Sequence, residues 1–529
     1  MIRKILLLAR TVRYLKFKQI VYQVYYRLKT VHNLSWFEHK FKAGPVYNPL
    51  RFNIQYQVAG LLKPSNTFNF LNLQHSFNDA VDWDYQGYGK LWNYNLQYFN
   101  YLHQADITTQ QKQALLNDIG SWLKSGKLKL EPYPVALRVM NTIRFISAAD
   151  LKNADIIRDL YAQLAYLNDN LEYHLLGNHL LEDAFALFMG GHFFNVDAWC
   201  ETAKAILYKE LNEQVLDDGA HFELSPMYHQ IIFFRVLELA DWYTNVNNND
   251  GDFLMFIKQK AADMLKWLQL ISFKNGDIPH FNDSATGITF TTPQLQSFAQ
   301  QLNISANNQL NLKDSGYRKY QSDKYECVID VGAVGPSYQP GHSHSDALSF
   351  VLYSNNLPVF VDAGTSTYQI GGKRSYERST NAHNTVEVSG KNQSEVWGGF
   401  RVGRRAQVQI HTQLAHELCA SHNGYKKTFA ADHSRCFTFG VDVITIKDII
   451  SASKPLPAKA IFHLYAGYEI DVVSKTEVLL NKTITIQFTG VNKFEILTYE
   501  LADGYNKYLP AKYLSVEFNN ELKTSIIFQ

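Results

Sequence analysis

The chain has 529 residues, more than a single hydrophobic core supports, so two or more domains are expected. Hydrophobic residues make up 46% and charged residues 19%, which fits a soluble globular protein and argues against extensive disorder. The net charge of +2 excludes a strongly basic nucleic-acid binder, so an acidic ligand would have to meet a local basic patch. Aromatic residues reach 14%. Any single ring is by default a core residue; collectively they also suit a sugar-binding cleft, because ring faces pack on the C–H face of a pyranose.

The N-terminus, MIRKILLLARTVRYLKFKQIVYQVYYRLKT, reads as a basic amphipathic helix. Its apolar run Ile5–Ala9 is short, Arg10 and Arg13 follow, and no A-x-A cleavage site appears, so it is not read as a signal peptide. No stretch reaches the roughly 18 apolar residues that span a bilayer. Docking on the body of the protein is the first reading, and contact with an anionic membrane surface the second. From about 105 to 302 helices succeed one another. Thr108 or Thr109 caps the first and Gly126 closes it. Others are predicted near 134–149, 152–171, 178–190, 196–215, 227–246 and 252–271, with linkers at Gly190-Gly191, Asp217-Asp218-Gly219 and Asn247–Asp250. Short connections between paired helices suggest a bundle, solenoid or α/α toroid. After a polar stretch at Leu310–Ser322, β-branched runs predict an antiparallel β-sandwich: Glu326–Val331, Leu348–Tyr353, Val359–Val361, Thr385–Val388, Ala406–Ile410, Val441–Ile446 and Thr483–Phe488. The expected division is an arm at 1–50, a helical domain at 51–315 and a β domain at 316–529. Cys200, Cys327, Cys419 and Cys436 form no CxxC. Cys419 and Cys436 could face each other across a hairpin, with free buried thiols as the default.

Polar clusters carry the candidate chemistry. In Gly341-His342-Ser343-His344-Ser345-Asp346, two histidines at i and i+2 on a strand would share one face. His344, Asp362 and His383 offer the two imidazoles and one carboxylate that suit zinc or another divalent metal. Gly177-Asn178-His179 opens one helix. Glu223-Leu224-Ser225-Pro226-Met227-Tyr228 opens another, where the helix dipole would lower the Tyr228 phenol pKa. Lys373, Arg374, Arg378, Lys391, Arg401, Arg404 and Arg405 form the basic patch, able to hold carboxylates or sulfates.

Together these segments resemble the heparinase II/III-like superfamily of polysaccharide lyases. The resemblance rests on LWNYNLQYFNYL (91–102), PYPVALRVMN (132–141), GNHLLEDAFAL (177–187), DGAHFELSPMYHQ (218–230), GHSHSDALSF (341–350), VFVDAGTSTY (359–368) and NAHNTVEVSG (381–390). It implies an α+β multidomain fold, an incomplete α/α toroid followed by an antiparallel β-sandwich, and cleavage of a uronate glycan by β-elimination. Asn178 would neutralise the uronate carboxylate, Tyr228 donate a proton to the leaving oxygen, His342 act as catalytic histidine and His179 assist the base. Arg138 would contact substrate, as would Arg374, Arg378 and Glu182. His344, Asp362 and His383 would hold a structural metal. The implied partner is an acidic polysaccharide and not a nucleic acid, with an oligomer left open. The expected location is cytoplasmic or membrane-peripheral, with the periplasm as second reading. Rival readings are a hydrolase using Glu182, Asp183 or Glu223, and a non-catalytic glycan-binding protein of exopolysaccharide assembly.

Overall fold

The computed structural model describes residues 2–38, 46–62 and 66–529. Residues 39–45 of the expected arm lie outside the described residues. The helical half contains Thr109–Ser125, Pro132–Ala149, Ala154–Asp169, Gly177–Phe194, Asp197–Gln214, Pro226–Thr244 and Gly251–Ile271. The predicted caps are in place. The Thr108 side chain accepts from the Gln111 N–H and Gln111 returns a bond to the Thr108 N–H, while Gly126 closes the helix at φ 75°. Consecutive helices pair, Gly177–Phe194 on Asp197–Gln214 and Pro226–Thr244 on Gly251–Ile271.

Gly190 and Gly191 do not form the expected linker. They lie inside the helix Gly177–Phe194, where a Cβ on Gly190 would collide with Leu164 and one on Gly191 with Cys200. Here the glycines serve close helix packing, and the cost in helix propensity, about 1 kcal/mol each, is offset by that approach.

The C-terminal half is built of antiparallel sheets. One has eight strands in the spatial order Val408–Leu414, Glu417–His422, Asp432–Phe439, Val443–Ser451, Glu521–Phe528, Ile484–Thr489, Glu477–Leu480, Ile470–Ser474. A four-stranded sheet orders Lys493–Ala502, Tyr508–Phe518, Ala458–His463 and Val386–Val388. Another orders Tyr317–Gln321, Tyr325–Asp330, Phe350–Ser354 and Leu357–Phe360. Alternation places Ile444, Ile446 and Ile450 of one strand inward. They share a core with Phe350, Phe437, Phe462, Ile486 and Phe518 from all three sheets.

The halves are stitched at their junction. Asp218, buried after the helix Asp197–Gln214, accepts from the Lys313 N–H (3.0 Å), the Ser315 N–H (2.8 Å) and the Ser315 hydroxyl (2.7 Å). Cys200 and Cys327 are free thiols, as the default expects, but register overturns it for the other two. Cys419 and Cys436 stand directly opposite on neighbouring strands and form a disulfide, with Cα atoms 4.1 Å apart. Replacing both with serine is expected to lower unfolding stability by up to about 3 kcal/mol, given the short loop the bond closes. Chemical denaturation measures this, and an unchanged midpoint would show that the bond contributes nothing.

Candidate active site

The site is assembled around a residue of the segment that follows the helix Gly251–Ile271. Asn282 adopts a left-handed backbone (φ 56°), which asparagine tolerates. Its side chain donates to the Leu224 carbonyl and accepts from the His344 N–H, both at 2.9 Å. Next to it Asp283, fully buried, accepts from His342 Nδ1 and His344 Nε2, both at 2.9 Å. It also takes a two-pronged ion pair from Arg374, with Nη2–Oδ2 at 2.6 Å. Burial alone would raise this carboxyl; Arg374 and the two imidazoles outweigh it and hold Asp283 well below the usual carboxylate range. The His342/His344 pair is not on a strand as predicted but in the irregular turn before Phe350–Ser354. Both imidazoles still reach one group, and that group is Asp283.

Ser225 caps the helix Pro226–Thr244, with Pro226 at its first position, which fixes Tyr228 in the first turn. The Tyr228 ring stacks on His342, centroids 3.9 Å apart, and its hydroxyl lies 3.3 Å from that of Tyr368. The expected lowering of the phenol is reversed. Burial pushes it up, and nearby Asp283 and Glu223 add to the rise, against the Tyr368 hydroxyl and Arg374. Desolvation therefore outweighs the helix dipole. His342 Nε2 is 3.4 Å from Glu223 Oε2. Glu223 in turn accepts from the Asn178 side-chain amide at 3.0 Å on each oxygen and from the Asn178 N–H at 3.0 Å. On the other side of Asn178, His179 Nδ1 lies 2.9 Å from Glu172 Oε2, and its ring is 4.5 Å from that of Tyr133. Burial works to lower the His179 pKa, but the Glu172 carboxylate prevails and raises it.

Other candidates are spent elsewhere. Arg138, 1% exposed, donates to Gln163 (2.6 Å) and the Gln97 carbonyl (3.1 Å) within the helical half. Arg378, equally buried, clamps the Ser343 carbonyl at 2.9 Å and the Gly399 carbonyl at 3.1 Å, so it shapes the histidine turn from behind. Arg374 serves Asp283. Glu182 pairs with Arg235 at 2.9 Å inside the helices. All four are buried and hydrogen-bonded within the protein, Arg374 and Glu182 in ion pairs and Arg138 and Arg378 to neutral amide and carbonyl oxygens.

The profile of the heparinase II/III N-terminus matches residues 132–310, and that of the heparinase II/III-like C-terminal region matches 306–528. The chain belongs to the heparinase II/III-like family. Two relatives named heparin-sulfate lyase are similar to it: one from Bacteroides stercoris, 27% identical over 42% of this chain and 37% of its own, and one from Pedobacter heparinus, 26% identical over 45% and 40%. The matched region thus spans about two fifths of those relatives. Among solved structures, a heparinase III superposes with a TM-score of 0.65 at 17% identity, covering 85% of this chain and 80% of its own. The heparan sulfate lyase of Pedobacter heparinus gives 0.59 at 17%, covering 93% and 87%. These likenesses show the shared fold of a helical domain followed by an antiparallel β-sandwich.

Within this family frame the expected metal ligands are neighbours but not a formed site. The His344 and His383 rings are 5.2 Å apart, and Asp362 Oδ2 lies 2.6 Å from His383 Nδ1. Nδ1 of His344 and Nε2 of His383 are buried without a hydrogen-bond partner. Yet among the described residues no group of three or more His, Cys, Asp or Glu is arranged to hold a metal ion. His344 has given Nε2 to Asp283, and Asp362 has closed on His383. The donor chemistry suits zinc, with His344 Nδ1 and His383 Nε2 as the free donors, and no step below runs through a metal.

Sequence reading missed Asp283 and Tyr368, and gave Glu223 only a place in the hydrolase rival. No local signal marks Asp283, because its partner Arg374 lies in the polar run Lys373–Ser379 and reads as a solvated residue. Asp283→Asn, which strands Arg374, is expected to cost about 3–5 kcal/mol of stability. Chemical denaturation checks this, and a loss below about 1 kcal/mol, the level of a surface pair, would remove Asp283 from the centre of the site.

Proposed function

We propose that this chain is a polysaccharide lyase that cleaves a uronate-containing glycan by β-elimination, leaving a 4,5-unsaturated uronate at the new non-reducing end. The carrying observation is the stack of the Tyr228 phenol on the His342 imidazole, with Asn178 joined to His342 through Glu223. An amide, a phenol and an imidazole from both halves of the protein thus lie in one cluster of contacts. The names of the relatives, heparin-sulfate lyases, support an acidic glycan as substrate.

The chemistry needs such a set. The C5 proton of a uronate is weakly acidic until the adjacent carboxylate charge is countered, and the Asn178 amide would supply that hydrogen bond in an enolate-like intermediate. In the tautomer that gives Nδ1–H to Asp283, His342 Nε2 would present the lone pair that a base requires, once substrate takes the place of Glu223 Oε2 3.4 Å away. Tyr228, its phenol held protonated by burial, suits the acid that protonates the departing O4. His179, whose pKa Glu172 raises, serves better as a cation beside the substrate carboxylate than as a base. The hydrolase rival needs two carboxyl groups across the cleft, about 5–9.5 Å apart. Glu182 is tied to Arg235, and Asp183 accepts from the Glu172 N–H, which leaves Glu223 as the sole member of that set at the site.

Two finer readings belong to this proposal. The orphaned nitrogens of His344 and His383 support a bound divalent ion, which elemental analysis of the purified protein decides. The Cys419–Cys436 bond supports an oxidising compartment, hence the periplasm over the cytoplasm.

The deciding experiment presents heparan, hyaluronan, chondroitin, alginate and bacterial exopolysaccharides and follows ultraviolet absorbance from the conjugated product, which hydrolysis does not generate. Tyr228→Phe is expected to lower kcat by at least about 10²-fold with glycan binding and folding retained. Near-normal turnover would remove Tyr228 as the acid. Binding of the acidic glycan should weaken as pH rises through the raised His179 pKa, because the imidazole then loses its charge. His179→Gln should flatten that profile, and an unaltered profile would show that His179 does not meet the substrate.

A further inference from the structure

The first 37 residues carry eight Lys and Arg and no Asp or Glu. That exceeds the +2 of the whole chain, so the remainder is acidic overall. The segment forms the helices Ile2–Val12 and Phe17–Leu28, and both are amphipathic with the faces reversed. In Phe17–Leu28 the buried residue is Gln19, 2% exposed, which donates to the Leu175 carbonyl at 3.1 Å, while the Tyr26 hydroxyl donates to the Leu171 carbonyl at 2.5 Å. The opposite stripe is apolar and faces solvent: Phe17 is 79% exposed, Val24 53% and Leu28 80%, with Val21 between them. Positions 17, 21, 24 and 28 lie along one helical face.

The helix Ile2–Val12 repeats the pattern. Arg10 pairs with Glu395 at 2.5 Å and the Thr11 hydroxyl accepts from Trp397 Nε1 at 3.1 Å, while Ile5, Leu8 and Val12 point outward. Lys4, Arg13 and Arg27 are exposed beside these stripes. The arm thus docks its polar face on the protein body, and among the described residues its apolar face is left uncovered.

We infer that this arm docks the protein on an anionic lipid bilayer, with the apolar stripes in the headgroup–acyl boundary and the cations on lipid phosphates. Charge decides the occupant. A second copy of the arm would set its cations against the same cations, whereas an anionic surface complements them. No helix among the described residues is long and apolar enough to cross a membrane, so the arm lies on the bilayer.

Sedimentation of the full chain with vesicles tests this. Vesicles of equal parts phosphatidylglycerol and phosphatidylcholine should bind at least about tenfold more tightly than pure phosphatidylcholine, and raised salt should weaken the binding. The Val24→Asp/Leu28→Asp variant should lose at least about tenfold in affinity, with folding and cleavage of soluble glycan unchanged, since both side chains face solvent. No association with the mixed vesicles at low salt would overturn the inference, as would equal binding by the variant. So would vesicle-independent dimers that the variant abolishes. Because cleavage is read on soluble glycan, failure here is distinct from failure of the lyase reading.

Discussion

One buried carboxylate organises this protein. Asp283 is fully buried at the junction between helices and sheets, and a lone charge there would be prohibitively expensive. It is tolerable because Arg374 and two imidazoles arrive from the β-sandwich to meet it. Those partners are themselves costly to bury, so each half holds groups that are stable only when the other half is docked. The ion cluster is thereby an assembly condition as much as a stabilising contact. His342 is aimed by the same carboxylate that joins the halves, which ties the geometry of the proposed base to the integrity of the interface.

Electrostatics at the site follow burial before they follow helix ends. Tyr228 sits in a first turn, where a dipole favours the anion, yet withdrawal from water and two nearby carboxylates hold the proton on. His179 shows the opposite balance, because Glu172 lies against its ring nitrogen and prevails over desolvation. In each case distance to a formal charge and loss of hydration decide the outcome, and neither can be read from position in a helix.

What the sequence reveals and conceals divides along that line. Local signals were legible: the Thr108 cap with Gly126, the Ser225-Pro226 start that places Tyr228, and the alternation of Val443–Ser451. Asn178, Tyr228 and His342 were legible as types in characteristic segments, and the structure brings them together. Long-range pairing was not legible. Asp283 looks like an ordinary loop aspartate after Asn282, and nothing local says that Arg374, Arg378 and Arg138 are consumed indoors. Gly190-Gly191 reads as a break in sequence because the need for close packing comes from Leu164 and Cys200 on other helices.

The contact between Glu223 and Asn178 has a consequence for traffic through the cleft. The amide proposed to greet a visiting anion is already engaged by a resident one, tethered to the same chain and present at high effective concentration. On the proposed reading an incoming carboxylate would have to displace it, so a single charged sugar would gain little from this contact and neighbouring sugars would supply the grip. If the proposed cleavage occurs there, the same competition would help afterwards, with Glu223 returning to the amide as the fragment leaves.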